Sequence, residues 1–238
     1  MKCDCGCEFE PVVYYRHLIV CGDCTDAEIV QKAMGGEKAT LAPVDPPYNV
    51  GFGYDGETVD DSKAAEVYEA FSRSWFATCQ QVSERQIVTP GGINHLEWAR
   101  WFDSYHCGVW TKTNALTRGR VTNSWCWEPV FFFGDKWKRE RANDVFNYPI
   151  SNQSGVANHP CPKPLPMWED LITNYSEPGD VIYEAFNGSG TTLIACERLG
   201  RRCRAIEISP AYCAVAIQRW VDMTGGTPEL VAANSDLQ

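Results

Sequence analysis

The chain has 238 residues, 44% of them hydrophobic, enough to bury one sizeable core, and no apolar run approaches the length of a membrane span. The Lys2-Cys3-Asp4-Cys5 start lacks the apolar segment of a secretory signal, which predicts a cytoplasmic protein, and twelve cysteines are too few for a disulfide scaffold. A net charge of −10 excludes a uniformly basic nucleic-acid coat.

In chain order, residues 1–16 read as a frayed, Cys-rich N-terminus. Apolar runs then predict seven strands, near residues 18–21, 40–44, 86–90, 107–112, 130–133, 181–186 and 203–208. Between 62 and 82, Ala64, Val67, Tyr68, Phe71, Trp75, Cys79 and Val82 recur at spacings of three and four, the apolar stripe of a helix. Ser209 followed by Pro210 is a helix start, opening a helix over 210–222. Strands alternating with helices imply an α/β fold with a mainly parallel sheet, helices on both faces and ligands at the carboxyl ends of the strands. Residues 1–238 read as a single domain.

Asp45-Pro46-Pro47-Tyr48 follows the second strand. An exocyclic amine of adenine or cytosine is a poor nucleophile because its lone pair is delocalised into the ring. A carboxylate (Asp45) and a main-chain carbonyl (Pro46) accepting its two N–H groups draw that lone pair out of conjugation. Two prolines stiffen the turn and remove two backbone donors. Tyr48 offers a flat face for a base swung out of its stack.

Phe186-Asn187-Gly188-Ser189-Gly190-Thr191-Thr192 lies between a strand and a helix start, where backbone can approach a nucleotide closely. A phosphate-gripping loop needs a Lys where Thr191 stands, and a dinucleotide fingerprint needs a Gly where Leu193 stands. A nucleoside without a pyrophosphate remains, and S-adenosyl-L-methionine fits. Glu207, at the tip of the next strand, is placed to hold ribose hydroxyls.

These strings resemble those of the DNA amino-methyltransferases of the N6-adenine and N4-cytosine type, in the permuted class where the catalytic string precedes the cofactor string. The resemblance spans about residues 17–222 and implies a Rossmann-like, S-adenosyl-L-methionine-dependent methyltransferase fold. Val20-Cys21-Gly22-Asp23-Cys24 matches the segment near the cofactor adenine, with Asp23 and Cys24 as contacts. His159-Pro160-Cys161-Pro162-Lys163-Pro164 resembles the segment at the methionine end of the cofactor, where Lys163 would lie. Trp127-Glu128-Pro129-Val130 and the following Phe131-Phe132-Phe133-Gly134 resemble the segment that closes the target-base pocket. Glu184-Ala185 stands where the family usually has Asp-Pro, so Glu184 joins the cofactor set, and Cys161 replaces a common Thr. The resemblance implies methylation of DNA, with N6 of adenine the leading target because Asp rather than Ser stands at 45, and a setting in restriction-modification. N4 of cytosine, an amide or RNA amine, and a nucleic-acid-binding homologue that has lost catalysis stay open as alternatives.

Residues 111–141 hold Lys112, Arg118, Arg120, Lys136, Lys138, Arg139 and Arg141 against Glu128, Asp135 and Glu140, a basic island in an acidic chain. With Trp125, Trp127 and Trp137 interleaved, Lys112, Arg118, Arg120, Trp127, Lys138 and Arg139 are expected to contact DNA. Arg198, Arg201, Arg202 and Arg204 are the alternative cations. The polar, turn-rich stretch at about 135–160 reads as a short target-recognition insert; its few side chains leave room for a partner subunit, such as a second copy in a homodimer. Cys21-x2-Cys24 has zinc-like spacing, but no second such pair exists, so no metal is expected. His17 and His159 read as structural.

Overall fold

The computed structural model describes residues 16–51, 62–115, 126–135, 143–150 and 163–230. Eight strands appear among them: β1 (His17–Cys21), β2 (Ala42–Val44), β3 (Arg85–Val88), β4 (His106–Lys112), β5 (Trp127–Gly134), β6 (Val145–Tyr148), β7 (Val181–Glu184) and β8 (Arg202–Glu207). The helices are α1 (Ala27–Met34), α2 (Ala65–Val82), α3 (His95–Trp101), α4 (Leu165–Tyr175), α5 (Thr191–Leu199) and α6 (Pro210–Thr224), with a 3-10 turn over Gly92–Asn94.

The strands run β1-β8-β7 in one ladder and β2-β3-β5-β4-β6 in the other. The two are stitched by Tyr183 N–H donating to Leu41 O at 3.0 Å and Thr40 N–H donating to Val181 O at 2.9 Å. Only β5 runs against its neighbours; β4 and β6 are parallel. A reversed β5 begins where the parallel strands end. Trp127 and Glu128 therefore share the sheet edge that carries Asp45, Thr89, Lys112, Glu184 and Glu207.

Alternation along the strands feeds two cores. Val44, Val88, Phe131, Phe133 and Tyr183 pack with α1, α2 and α3. Leu41, Ile87, Trp110, Phe132 and Ile182 face α4, α5 and α6 on the other side. Each such large side chain contributes roughly 1.5–3 kcal/mol on burial.

Three expectations need correction. The sheet has eight described strands, not seven, because Val145–Tyr148, inside the stretch read as an insert, pairs with β4. Only Phe146 of that strand is buried, so its apolar signal is weak. Helix α2 starts at Ala65 and leaves Val67 55% exposed, while Ser72, Phe76 and Thr78 turn inward. The Arg198 to Arg204 cations are engaged: Arg198 with Glu169, Arg202 and Arg204 with Glu37, and buried Arg201 with Ser176. Arg201 and Arg204 are buried, while the Arg198 side chain stays 53% exposed. Helix α6 begins as read, with Ser209 accepting from Tyr212 N–H.

Buried Cys24, Cys79, Cys196, Cys203 and Cys213 pack as small apolar residues, burial pushing the Cys79 thiol up to about 12. No group of three or more metal-ligand side chains occurs among the described residues. Cys3, Cys5, Cys7 and His159 lie outside them. His17 accepts from Cys203 N–H through Nδ1 and meets Glu197 through Nε2 at 2.8 Å, a structural tie. Burial lowers its pKa against the pull of Glu197.

Candidate active site

Asp45 leaves the carboxyl end of β2 and is only partly buried, its side chain 24% exposed. Three donors converge on Oδ1: the Lys163 ammonium at 2.6 Å, the Tyr48 hydroxyl at 2.8 Å and the Thr89 hydroxyl, from the end of β3, at 3.2 Å. Among the described residues no donor is bonded to Oδ2. The backbone carbonyls of the turn divide in the same way. Pro47 O accepts from the Tyr68 hydroxyl at 2.9 Å and Tyr48 O from the Asn94 amide at 2.8 Å, whereas Pro46 O has no partner among the described residues. Among the described residues, Asp45 Oδ2 and the neighbouring Pro46 carbonyl are thus open as acceptors.

Tyr48 is half-buried, with its hydroxyl engaged. Its hydroxyl lies between Asp45 Oδ1 and Glu128 Oε2, the latter at 3.0 Å, and its single hydrogen serves one at a time. Burial, then the two carboxylates, pushes the phenol well above its ordinary pKa and keeps it a donor. The Lys163 ammonium lies 4.9 Å from the ring centroid and also bonds the hydroxyl. A Cβ on Gly91, at φ +78°, would come within 2.7 Å of Tyr48 Cδ2, so only glycine lets the backbone lie against the ring.

Glu128 is 4% exposed and takes Lys112 at 2.5 Å on Oε1 and Lys163 at 3.4 Å on Oε2. Burial pushes its carboxyl up; the two ammoniums outweigh that and hold it below the usual range. Both ammoniums also lie over the Trp110 indole, at 5.2 and 5.5 Å. Lys112, expected on a phosphate, is therefore a counter-ion, its side chain 12% exposed. Lys163, expected at the methionine end of the cofactor, is bonded to the Asp-Pro-Pro-Tyr turn.

The glycine turn joins β7 to α5. Gly188 and Gly190 have φ of +48° and +87°, and a Cβ on Gly190 would approach Ala216 Cβ to 2.9 Å, which seats α6 against the turn. Arg219 of α6 donates to Ser189 O at 2.5 Å and Ser189 Oγ at 3.0 Å. Glu207 accepts from Gly188 N–H at 2.7 Å and Ser209 N–H at 2.9 Å. A carboxylate has about four acceptor positions, so it can brace the turn and still receive hydroxyls. Among the described residues the buried Asn187 carboxamide has no partner on either polar atom. Phe186 is half-buried, its ring 5.2 Å from Trp75, and Thr191 is half-buried at the start of α5.

Glu184, Thr192 and Cys24, expected at a cofactor, face inward. Glu184, 3% exposed, accepts from Phe186 N–H and from the Thr192 hydroxyl, which in turn accepts from Trp168 Nε1 at 2.7 Å. Burial pushes the Glu184 carboxyl up to about 8. Asp23 is exposed and accepts from Thr25 N–H and Oγ1, while the Cys24 thiol is buried and held protonated. Trp127 is half-buried, edge-on to His95 at 5.3 Å. Arg118, Arg120, Lys138 and Arg139 lie outside the described residues. Thr89, Asn94, Trp110 and Arg219 were missed; a Thr or Asn after a strand has no distinguishing local pattern, and Arg219 is one cation in an amphipathic helix.

A sequence family described as DNA methylase, of the N6/N4 type, matches residues 109–218. The matched stretch and the relatives below make the chain similar to the DNA amino-methyltransferases. It is similar to the type II methyltransferase M.HpaI of Haemophilus parainfluenzae, 25% identical over 232 residues that cover 82% of this chain and 72% of the relative. In fold, the chain resembles M1.HpyAVI, solved in complex with SAM, at a TM-score of 0.65 and 20% identity, covering 86% of this chain and 98% of that one. It also resembles the PvuII DNA methyltransferase, described as cytosine-N4-specific, at a TM-score of 0.68 and 17% identity, with 87% of each chain covered.

Proposed function

We propose that this protein transfers a methyl group from S-adenosyl-L-methionine to the exocyclic amine of a base in DNA, with N6 of adenine as its target. The observation that carries the reading is that Asp45 Oδ2 and Pro46 O have no donor among the described residues, in a turn where Asp45 Oδ1, Pro47 O and Tyr48 O are taken. An amine has two N–H groups, and two acceptors hold it with its lone pair clear of the ring. Asp45 need not act as a general base beforehand, because methylation itself acidifies the nitrogen and its proton can leave afterwards.

The residues of the glycine turn suit the cofactor. When bound, S-adenosyl-L-methionine supplies an electrophilic methyl on a sulfonium. Glu207 has acceptor capacity for ribose hydroxyls, the Asn187 carboxamide has a donor and an acceptor to offer, and Asp23 lies past the end of β1 on the same sheet edge. Glu184 and Thr192 support the turn from beneath. Arg118, Arg120, Lys138, Arg139 and Trp127 are proposed for DNA, with residues around 135–160 reading the target.

Adenine is preferred to cytosine because the family resemblance associates Asp at position 45 with adenine and Ser with cytosine. The test is transfer of labelled methyl to duplex DNA, with RNA and protein as parallel acceptors. Label in DNA supports the proposal. Label confined to RNA or protein, or none at all, overturns it.

A further inference from the structure

Asp45 is one of four charged side chains gathered at the carboxyl edge of the sheet. Lys163 binds Asp45 and Glu128, and Lys112 binds Glu128. Two carboxylates and two ammoniums make a neutral set, with Tyr48 OH shared between the carboxylates and the Trp110 indole under both ammoniums. Three of the four are nearly out of water: Glu128 and Lys163 have side chains 6% and 5% exposed, and Lys112 12%. At such burial a missing partner is not replaced by solvent, so each charge alters the next.

We propose that Glu128 and Lys112 are positioning residues that set the charge around Asp45. This rests on the reading that Asp45 holds the target amine. Glu128 draws off part of the Lys163 charge and part of the Tyr48 hydrogen bond, which leaves Asp45 electron-rich enough to accept an N–H at Oδ2. Lys112 keeps Glu128 from claiming both. Neutralising Glu128 alone leaves two ammoniums facing one carboxylate, and Lys163 then polarises Asp45 away from the amine. Neutralising Lys112 alone has the opposite error: Glu128 pulls Lys163 and the Tyr48 hydrogen toward itself, and Asp45 loses the donors that fix its orientation. Neutralising both restores a one-to-one balance between Asp45 and Lys163.

The balance makes a prediction that simple packing does not. Glu128→Gln and Lys112→Met should each lower kcat by about tenfold to a hundredfold, since ~1.4 kcal/mol in the barrier is tenfold, with the dissociation constant for S-adenosyl-L-methionine nearly unchanged. The double variant should regain at least part of that loss and turn over faster than either single. Glu128→Asp, which keeps the charge, should retain most of the turnover and stands in for Glu128→Gln if that variant does not fold. A double variant no faster than the faster single, or a folded Glu128→Asp as slow as Glu128→Gln, overturns the proposal. Absence of methyl transfer by the wild-type protein would instead remove the reading of Asp45 on which it rests, so the two failures are distinct.

Discussion

The Tyr48 hydroxyl donates to Asp45 Oδ1 at 2.8 Å, tying together the two ends of the Asp-Pro-Pro-Tyr turn. The bond fixes the carboxylate plane and, with Lys163 and Thr89, saturates one oxygen; in the proposed reading the other oxygen accepts the target amine. Tyr48→Phe removes this donor and keeps the ring against Gly91. We expect kcat to fall about tenfold or more, the scale of a hydrogen bond to a charged group, while cofactor affinity measured by calorimetry stays near wild type. Unchanged turnover would mean that Lys163 and Thr89 suffice.

The acid beneath the glycine turn gives a pH dependence of stability. Glu184 is pushed by burial from 4.5 to about 8, so the folded protein keeps a proton there that the unfolded chain releases. Its contribution is full below the ordinary carboxyl range and is lost as pH rises through about 8. The wild-type Tm should fall across that window, at about 2–4 °C per kcal/mol for a domain of this size. Glu184→Gln, neutral throughout, should show a flatter profile, and an equally steep one would place the titration elsewhere.

Glu207 joins both halves of the cofactor edge through Gly188 N–H and Ser209 N–H. Glu207→Ala should weaken S-adenosyl-L-methionine binding by about 1–3 kcal/mol and lower the Tm as well, because two backbone donors lose their acceptor. A lowered Tm with unchanged affinity would assign the residue to the turn alone.

Much of this was legible in the sequence, for identifiable reasons. Ser209-Pro210 starts α6 because capping is local chemistry, and the glycine turn shows itself through residues that only its backbone needs. β6 was missed because an edge strand with one buried side chain carries almost no apolar period. Lys112 read as a phosphate ligand because charge is visible in sequence and pairing is not; its partner Glu128 lies across a strand pair on the same sheet edge. Lys163 meets Asp45 only because the chain returns to β2 through α4 after 118 residues.

The basic segment gives a separate test. Replacing Arg118, Arg120, Lys138 and Arg139 by Gln should weaken DNA binding for all sequences and reduce the slope of log affinity against log salt by about 0.9 for each phosphate no longer neutralised. Cofactor affinity should hardly change. Lys112 is left out of this set, because its charge is spent on Glu128. An unchanged salt slope would place these four cations away from the DNA.

The most direct measurement is the identity of the methylated nucleoside in duplex DNA incubated with S-adenosyl-L-methionine and either the wild-type protein or Asp45→Ala. Mass spectrometry of the digested DNA should find N6-methyladenine with the wild type. Asp45→Ala should reduce its rate of formation by orders of magnitude, since the amine is then held by Pro46 O alone, while binding the cofactor almost as well. N4-methylcytosine would move the target to the other amino base. A carbon-methylated base such as 5-methylcytosine, or undiminished N6-methyladenine from Asp45→Ala, would contradict amine capture by Asp45 and Pro46.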